Sequence, residues 1–343
     1  MARRSDCTAP SCGPETDEKL AGQSGQPKGT PINPYKPLEG NSPQSWDDTV
    51  LKRLDAFMVK AHAHNIKLLI SLHSYNALEG EKDFYGQRWG TGDFYKNHEA
   101  KEHFKKRIDH VLTHKNTITG KTWAQSSDYI FAFEAQNEAM HSNVRPRCPL
   151  GRPWLTLILQ KDPDSLVKWQ CDMGAAIKSH LSSKGDILVS TGGGSYLATS
   201  LLDGYFSCPS LDILAIHAYG TGDFDKAALT KYVDKAKAKG KKLVMQEWGA
   251  CYTNTGNNKC TYGNSIGADK RDQNIKQWAA SIDSAGIPWF YWQIIPNKDP
   301  HQDWDYEVGI DDANWPALKA ASLKACEAES AFDFSKWLPS TRC

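Results

Sequence analysis

Two glutamates end apolar segments of the sequence, and together their carboxylates could perform acid–base and nucleophilic chemistry. Glu138 closes the run 129–138 and Glu247 closes the run 242–247. A buried carboxylate is costly unless it is used or paired. Two carboxylates across one cleft can cleave a glycosidic bond, with retention at separations of about 5–5.5 Å and inversion at about 6.5–9.5 Å. We therefore predict a catalytic pair, and the alternative is that each glutamate forms a local ion pair.

Further polar and aromatic residues stand at the ends of other apolar runs. Those that could line a cleft with the two glutamates are His73, Asn137, His217, Tyr219 and Trp292. For His73, His217 and Tyr219 the alternative is a satisfied residue of the core. Glu134 lies four residues before Glu138 in the same run, so we expect it to be buried and hydrogen-bonded as a structural group.

Six short apolar runs must position these side chains, and helix-like stretches separate them. The runs are 67–73, 129–138, 186–192, 211–219, 242–249 and 287–294. The amphipathic stretches are 47–65, 99–115, 164–183, 225–240, 272–286 and 313–326. Continuous apolar runs of this length are typical of parallel strands covered on both faces, and their alternation with helices predicts a parallel α/β fold.

The polar ends of the runs favour a (β/α)₈ TIM barrel over a doubly wound sheet. A barrel gathers all its strand ends on the face that carries the active site. A doubly wound sheet uses mainly its switch point and usually carries a glycine-rich phosphate loop. Neither GxGxxG nor GxxxxGK[ST] is present, and TGGGS at 191–195 is better explained as a tight strand exit.

Four motifs in this order resemble glycoside hydrolase family 5, a member of clan A. AQNEAMH resembles the Asn-Glu acid/base motif, IHAYG the strand-six His-x-Tyr motif, VMQEWG the strand-seven nucleophile motif and WFYWQ the strand-eight Trp. The segment 93–138 also resembles the corresponding part of fungal endo-β-1,4-mannanases, and the likeness covers roughly residues 46–326. The resemblance implies a retaining endo-glycosidase that hydrolyses internal β-1,4-mannosidic bonds.

The resemblance also implies roles for single residues. Glu138 would be the general acid/base and Glu247 the nucleophile that forms a glycosyl–enzyme intermediate. Asn137 would bind the 2-hydroxyl of the sugar, and Trp292 would be the platform on which the ring stacks. Tyr219 would hydrogen-bond the nucleophile, His217 would orient both carboxyls, and His73 would line the cleft. No cofactor and no metal is expected.

The beginning of the chain departs from the family pattern. Residues 1–45 are rich in Gly, Pro, Ser and charge, and contain no apolar run. Neither a first strand nor a second strand delivering an arginine to the cleft can be identified there, and nothing secures Arg3 or Arg4 as that arginine. We therefore expect an irregular segment at 1–45, and at 46–343 a catalytic barrel that is shortened or incomplete.

Charge and composition exclude some partners. The 343 residues include 41 Lys+Arg and 40 Asp+Glu, a net charge of +1, whereas a nucleic acid or an anionic membrane favours a basic surface. No apolar run is long enough to span a membrane. We expect a monomer whose partner is a β-mannan-like polysaccharide.

The nine cysteines indicate an oxidising, extracellular setting. Cys251 and Cys260 bracket a turn-rich loop that a disulfide could staple, and Cys326 and Cys343 bracket the last segment in the same way. One further pair could come from three others: Cys148, Cys171 and Cys208. The alternative is buried free thiols. The basic start MARRSDC is followed by no apolar stretch, so we expect a secreted protein whose signal peptide is not in this chain.

Two other functions remain open on this evidence. The chain could be an endo-β-glucanase or another family 5 polysaccharidase. It could also be a catalytically impaired carbohydrate-binding protein, because two barrel strands are not recognisable.

Overall fold

The computed structural model describes residues 36–339 except 80, 82, 140–161, 262 and 302–304. The strands of the main sheet are β1 (Leu68–Ser71), β2 (Ile130–Glu134), β3 (Leu188–Ser190), β4 (Ile213–Ala218) and β5 (Lys242–Trp248). A separate parallel pair is formed by β6 (Ile294–Ile295) and β7 (Val308–Gly309).

Helices lie between and after these strands. They are α1 (Thr49–Ala63), α2 (Tyr75–Glu79), α3 (Phe84–Asp93), α4 (His98–Thr113), α5 (Pro163–His180), α6 (Leu197–Ser200), α7 (Asp203–Ser207), α8 (Lys226–Ala238), α9 (Ala268–Ser284) and α10 (Trp315–Glu327). Several long helices begin at a side-chain cap, as at Asn97, Asp162 and Asp225, each accepting from the backbone N–H three residues later.

The five strands are parallel and neighbour one another in chain order. The predicted sixth strand, 287–294, is only partly confirmed, because most of it is not assigned to a strand and residue 289 forms a single bridge to Met245. Its backbone nevertheless follows β5: Met245 N–H donates to Pro288, and the N–H groups of Phe290 and Trp292 donate to Met245 and Trp248, all at 2.9 Å.

The sheet is therefore part of a (β/α) barrel and not a doubly wound sheet. Within the described residues, β1 and the segment 287–292 are the two ends of the sheet, and no strand joins them. The expectation of an incomplete (β/α) barrel is confirmed for the part of the chain that the structure describes, whose sheet has five full strands and one partial strand where a complete barrel has eight.

Buried aromatic side chains fill the layer between the sheet and its helices. Phe94, Phe104 and Trp169 pack with ring centroids 5.3–5.5 Å apart, and none of them is exposed. Trp123 is also fully buried, and its indole N–H donates to Asp55 at 2.8 Å. These aromatic side chains therefore serve as packing.

The described part of the N-terminal segment packs against the barrel. Leu38 is buried, and Glu39 accepts hydrogen bonds from Tyr85 at 2.8 Å and Arg107 at 3.1 Å. Arg107 belongs to α4, so this ion pair ties residue 39 to the helix layer. Arg3 and Arg4 are not among the residues that the structure describes.

Two disulfides join described residues: Cys171–Cys208 and the expected Cys251–Cys260. Cys326 is also disulfide-bonded, whereas Cys148 and Cys343 lie outside the described residues. None of the helices described is both long enough and apolar enough to pass through a bilayer.

Candidate active site

The structure brings Glu138 and Glu247 together at the carboxyl ends of their strands. Glu247 is in β5, and Glu138 follows the end of β2. One carboxylate oxygen of each lies within 4.8 Å of the other, and their side chains are 15% and 14% exposed. Two carboxylates so close, both reachable from solvent, have the spacing of a retaining rather than an inverting glycosidase.

His217 of β4 lies between the two carboxylates. Its Nδ1 is 3.1 Å from Glu138 Oε1 and 3.4 Å from Glu247 Oε2, and the side chain is fully buried. Burial alone would lower the pKa of His217, but the charges of Glu247 and Glu138 outweigh it and raise the pKa to about 9. The two glutamates therefore favour the charged form of the imidazole, whose Nδ1 lies in ion-pair contact with both of them.

A tight loop makes room for this imidazole. At Gly193, which has φ +67°, a β-carbon would lie 2.3 Å from His217 Cδ2. Only glycine fits there, both because of the positive φ and because of the contact. The TGGGS stretch is thus a tight strand exit, as predicted. It also leaves room for His217 between the two glutamates.

Tyr219 contacts Glu247 directly. Its hydroxyl donates to Glu247 Oε2 at 2.7 Å, and its ring packs on Tyr306 with centroids 4.7 Å apart. Burial, with the Glu247 charge added, raises the pKa of Tyr219, so the phenol stays protonated and remains a donor. Trp292 is half-buried and packs edge-on against Tyr306, with ring centroids 6.4 Å apart.

Asn137 and Glu138 are fixed by backbone bonds to the neighbouring strand ends. Asn137 N–H donates to His73 at 2.8 Å, and Glu138 N–H donates to Gly192 at 2.8 Å. Glu138 has φ +51°, in the left-handed region that non-glycine residues rarely occupy. Such strain is concentrated at functional sites, where the surrounding structure holds it in place.

The structure does not place His73 on the cleft surface. Its side chain is 2% exposed, with Nε2 2.5 Å from Asp83 Oδ2 and Nδ1 2.7 Å from Gln136 Nε2. Gln136 in turn accepts from Tyr95 at 2.6 Å. With both ring nitrogens bonded inside the protein, His73 supports the backbone before Glu138 instead of facing a ligand.

Glu134 is buried one layer below the pair, as expected. Gln246 Nε2 donates to its Oε2 at 2.8 Å. Burial raises the pKa of Glu134 to about 7, although the Gln246 hydrogen bond and the His217 charge oppose that shift. This carboxyl is therefore protonated in acid and ionised in mild alkali.

Sequence reasoning missed Ser195, Gln136 and Asp83. Ser195 Oγ donates to Glu138 Oε1 at 3.3 Å, and Asp83 caps α3 while it bonds His73. Ser195 belongs to the TGGGS stretch that the sequence identified only as a turn. No periodic pattern indicates Asp83, because it reaches the site from a loop.

Parallel strands with a paired-carboxylate centre at their carboxyl ends define a (β/α)-barrel protein of the glycosidase type. The family model for cellulase, glycosyl hydrolase family 5, matches residues 30–298, and the chain belongs to this family.

Named relatives and solved structures agree with that assignment. The chain is 25% identical over 307 residues to mannan endo-1,4-beta-mannosidase 1 of Oryza sativa subsp. japonica, covering 78% of this chain and 65% of the rice protein. The endo-1,4-beta-mannanase of Rhizomucor miehei has a TM-score of 0.56 at 19% identity, covering 82% of this chain and 79% of that one. The hyperthermostable mannanase of Thermotoga petrophila RKU-1 has a TM-score of 0.57 at 19% identity, covering 83% and 89%. At these identities the solved structures support the fold.

Proposed function

We propose that this chain is a retaining endo-glycosidase that hydrolyses internal β-1,4-mannosidic bonds of mannan-type polysaccharides. The observation that carries the proposal is the close pair Glu138 and Glu247, within 4.8 Å, with His217 between them. Mannanase relatives support the choice of substrate.

Cleavage would proceed by two displacements. Glu247 attacks the anomeric carbon while Glu138 gives its proton to the departing glycosidic oxygen, so the C–O bond breaks and a glycosyl ester forms. Water then enters, Glu138 takes one of its protons, and the hydroxide displaces Glu247 from the sugar. Two inversions at one carbon leave the configuration retained.

The neighbouring groups have separate tasks in this scheme. Tyr219 donates to Glu247 Oε2 at 2.7 Å and would hold the nucleophile in position. Asn137 would bind the 2-hydroxyl of the sugar. Trp292 would provide the stacking surface for its ring. His217, with Nδ1 3.1 Å from Glu138 Oε1 and 3.4 Å from Glu247 Oε2, would place a positive charge beside whichever carboxylate is ionised.

The test measures reducing ends released from mannan and from cellulose by wild type, Glu138→Gln and Glu247→Gln. We expect release from mannan and a fall of at least about a hundredfold in either variant, because each loses a group that acts in the transition state. Glu329→Gln, at an exposed glutamate, is the control and should retain full rate. Near wild-type rate in Glu138→Gln or Glu247→Gln would contradict the mechanism.

A second candidate is a carbohydrate-binding protein without turnover, favoured by the five-stranded sheet. A folded sample that binds mannan but releases no reducing ends from either polymer would support it. Faster release from cellulose than from mannan would instead indicate an endo-β-glucanase, another family 5 activity.

We further propose that residues 46–343 act as one catalytic domain, as a monomer, in an extracellular setting. The disulfides Cys171–Cys208 and Cys251–Cys260 support that setting, because such bonds persist in oxidising compartments.

A further inference from the structure

Away from the paired glutamates, Asp299, His301 and Asp305 converge on one point. His301 Nδ1 lies 3.2 Å from Asp299 Oδ2 and 3.0 Å from Asp305 Oδ2. Both aspartate side chains are fully buried, whereas the imidazole is 32% exposed. Three atoms with lone pairs, one nitrogen and two oxygens, therefore lie close together. Solvent can reach them on the exposed side of the histidine.

One buried oxygen in this group, Asp299 Oδ2, accepts no hydrogen bond from the described residues, although it lies in ion-pair contact with His301 Nδ1. Asp299 Oδ1 accepts from the N–H of His301 at 2.9 Å, but Asp299 Oδ2 accepts from no described group. The ring nitrogen that faces it is hydrogen-bonded to Asp305 instead. A buried carboxylate oxygen left in this state is destabilising unless a ligand completes it.

The spacing of the donors suits a metal ion. Octahedral bonds of about 2.1–2.2 Å place neighbouring donor atoms about 3.0–3.1 Å apart, and tetrahedral zinc bonds of about 2.0–2.1 Å place them about 3.3–3.4 Å apart. The two nitrogen–oxygen distances here are 3.0 and 3.2 Å. Imidazole combined with two carboxylates favours zinc or manganese over calcium, which prefers an all-oxygen set at longer distances.

We propose that Asp299, His301 and Asp305 form a site for a divalent zinc or manganese ion, bound through His301 Nδ1 and one oxygen of each aspartate. Water would complete the coordination on the exposed side of the imidazole. The ion takes the place of the Nδ1 proton, so one proton is released for each ion bound.

The site would connect two loops at the rim of the cleft. Asp305 accepts from Thr253 N–H at 3.2 Å, and the His301 ring stacks on Tyr252 at 4.3 Å. The next residue, Tyr306, packs on Tyr219, the hydrogen-bond partner of Glu247. A bound ion would therefore be structural, holding the cleft wall instead of reacting with substrate.

The experiment titrates chelator-treated full chain with ZnCl₂ in a calorimeter and with MnCl₂ by electron paramagnetic resonance. We expect one ion per chain and a higher melting temperature with metal. Asp299→Asn and His301→Ala should each weaken binding at least tenfold, whereas Asp311→Asn, at an exposed aspartate, should leave it unchanged.

Binding to neither ion by the wild type would overturn the proposal, as would equal binding by His301→Ala. Removing His301 leaves Asp299 and Asp305 buried without their cationic partner, so the wild-type titration tests the proposal by itself if either variant fails to fold. Neither readout depends on glycosidase activity, so the result is independent of the proposed function.

Discussion

At the scale of single residues, burial and neighbouring charges determine which groups of the centre favour their protonated forms. Glu138 and Glu247 keep His217 protonated, with its pKa raised to about 9. Below them Glu134 has a pKa raised to about 7 by burial. The two shifts act in the same direction, since both groups favour their protonated forms in the folded state.

Glu134 makes the folded state sensitive to pH. A carboxyl whose folded pKa is raised stabilises the fold below its unfolded pKa of 4.5, and the contribution is lost as the pH rises through about 7. We predict that Glu134→Gln removes this loss and unfolds at a higher urea concentration than wild type at pH 8. Its free energy of unfolding should be higher by on the order of 1–3 kcal/mol. Gln keeps an acceptor for Gln246.

The measurement compares urea unfolding of both proteins at pH 4.5 and pH 8. The advantage of Glu134→Gln should be small at pH 4.5, where wild-type Glu134 is already protonated. An equal difference at both pH values would mean that Glu134 does not titrate in this range.

At the scale of elements, loops between strand and helix place the reactive groups as much as the strands do. The loop that begins at Thr191 presents Gly193 to His217 and Ser195 to Glu138. Its glycines are necessary where the chain approaches its neighbours, because at Gly192 a β-carbon would overlap the Gln136 carbonyl.

Gly193→Ala should therefore disturb both stability and catalysis. The added methyl meets the His217 ring, and φ +67° is unfavourable for alanine, so we expect a loss of about 1–3 kcal/mol and at least a tenfold lower kcat. Gly222→Ala is the matched control, since its β-carbon meets open space. Thermal unfolding and mannan hydrolysis of both variants test this. Similar behaviour of the two variants would show that a methyl group at position 193 does not crowd His217.

Helices and strands were predictable because their signals are local. Apolar runs marked β2 and β5, and the amphipathic pattern marked α4 and α5 within a few residues. The paired glutamates were found because a carboxylate at the end of a buried strand is conspicuous.

Contacts made by loops could not be predicted in the same way. Asp83 and Ser195 reach His73 and Glu138 from segments without periodicity. His73 was expected in the cleft because its position in the sequence matched a strand end. Only the packed structure shows that the aromatic rings of Tyr85, Phe94 and Phe104 surround it.

At the scale of the whole molecule, the two disulfides between described residues have different tasks. Cys171–Cys208 joins α5 to the segment after α7 across 37 residues. Cys251–Cys260 spans only 9 residues, in the loop whose Asn258 donates to the Tyr219 carbonyl at 2.5 Å. The first constrains the fold, and the second constrains the cleft.

We expect the variants to separate these tasks. Replacing Cys171 and Cys208 by Ala should cost about 3–4 kcal/mol, more than replacing Cys251 and Cys260, because a longer closed loop restricts the unfolded chain more. The Cys251 and Cys260 variant should lose more kcat. Urea unfolding and mannan hydrolysis measure both. A larger loss of unfolding free energy in the Cys251 and Cys260 variant than in the Cys171 and Cys208 variant would contradict the prediction.

The left-handed backbone at Glu138 has a consequence for how the chain could evolve. A glutamate at φ +51° is less favourable than glycine, by roughly 1 kcal/mol. Selection for heat resistance alone would therefore replace the residue proposed as the proton donor and yield a sturdier, inert protein. A thermostable variant that keeps glutamate at this position would therefore indicate continued selection for the function of that glutamate.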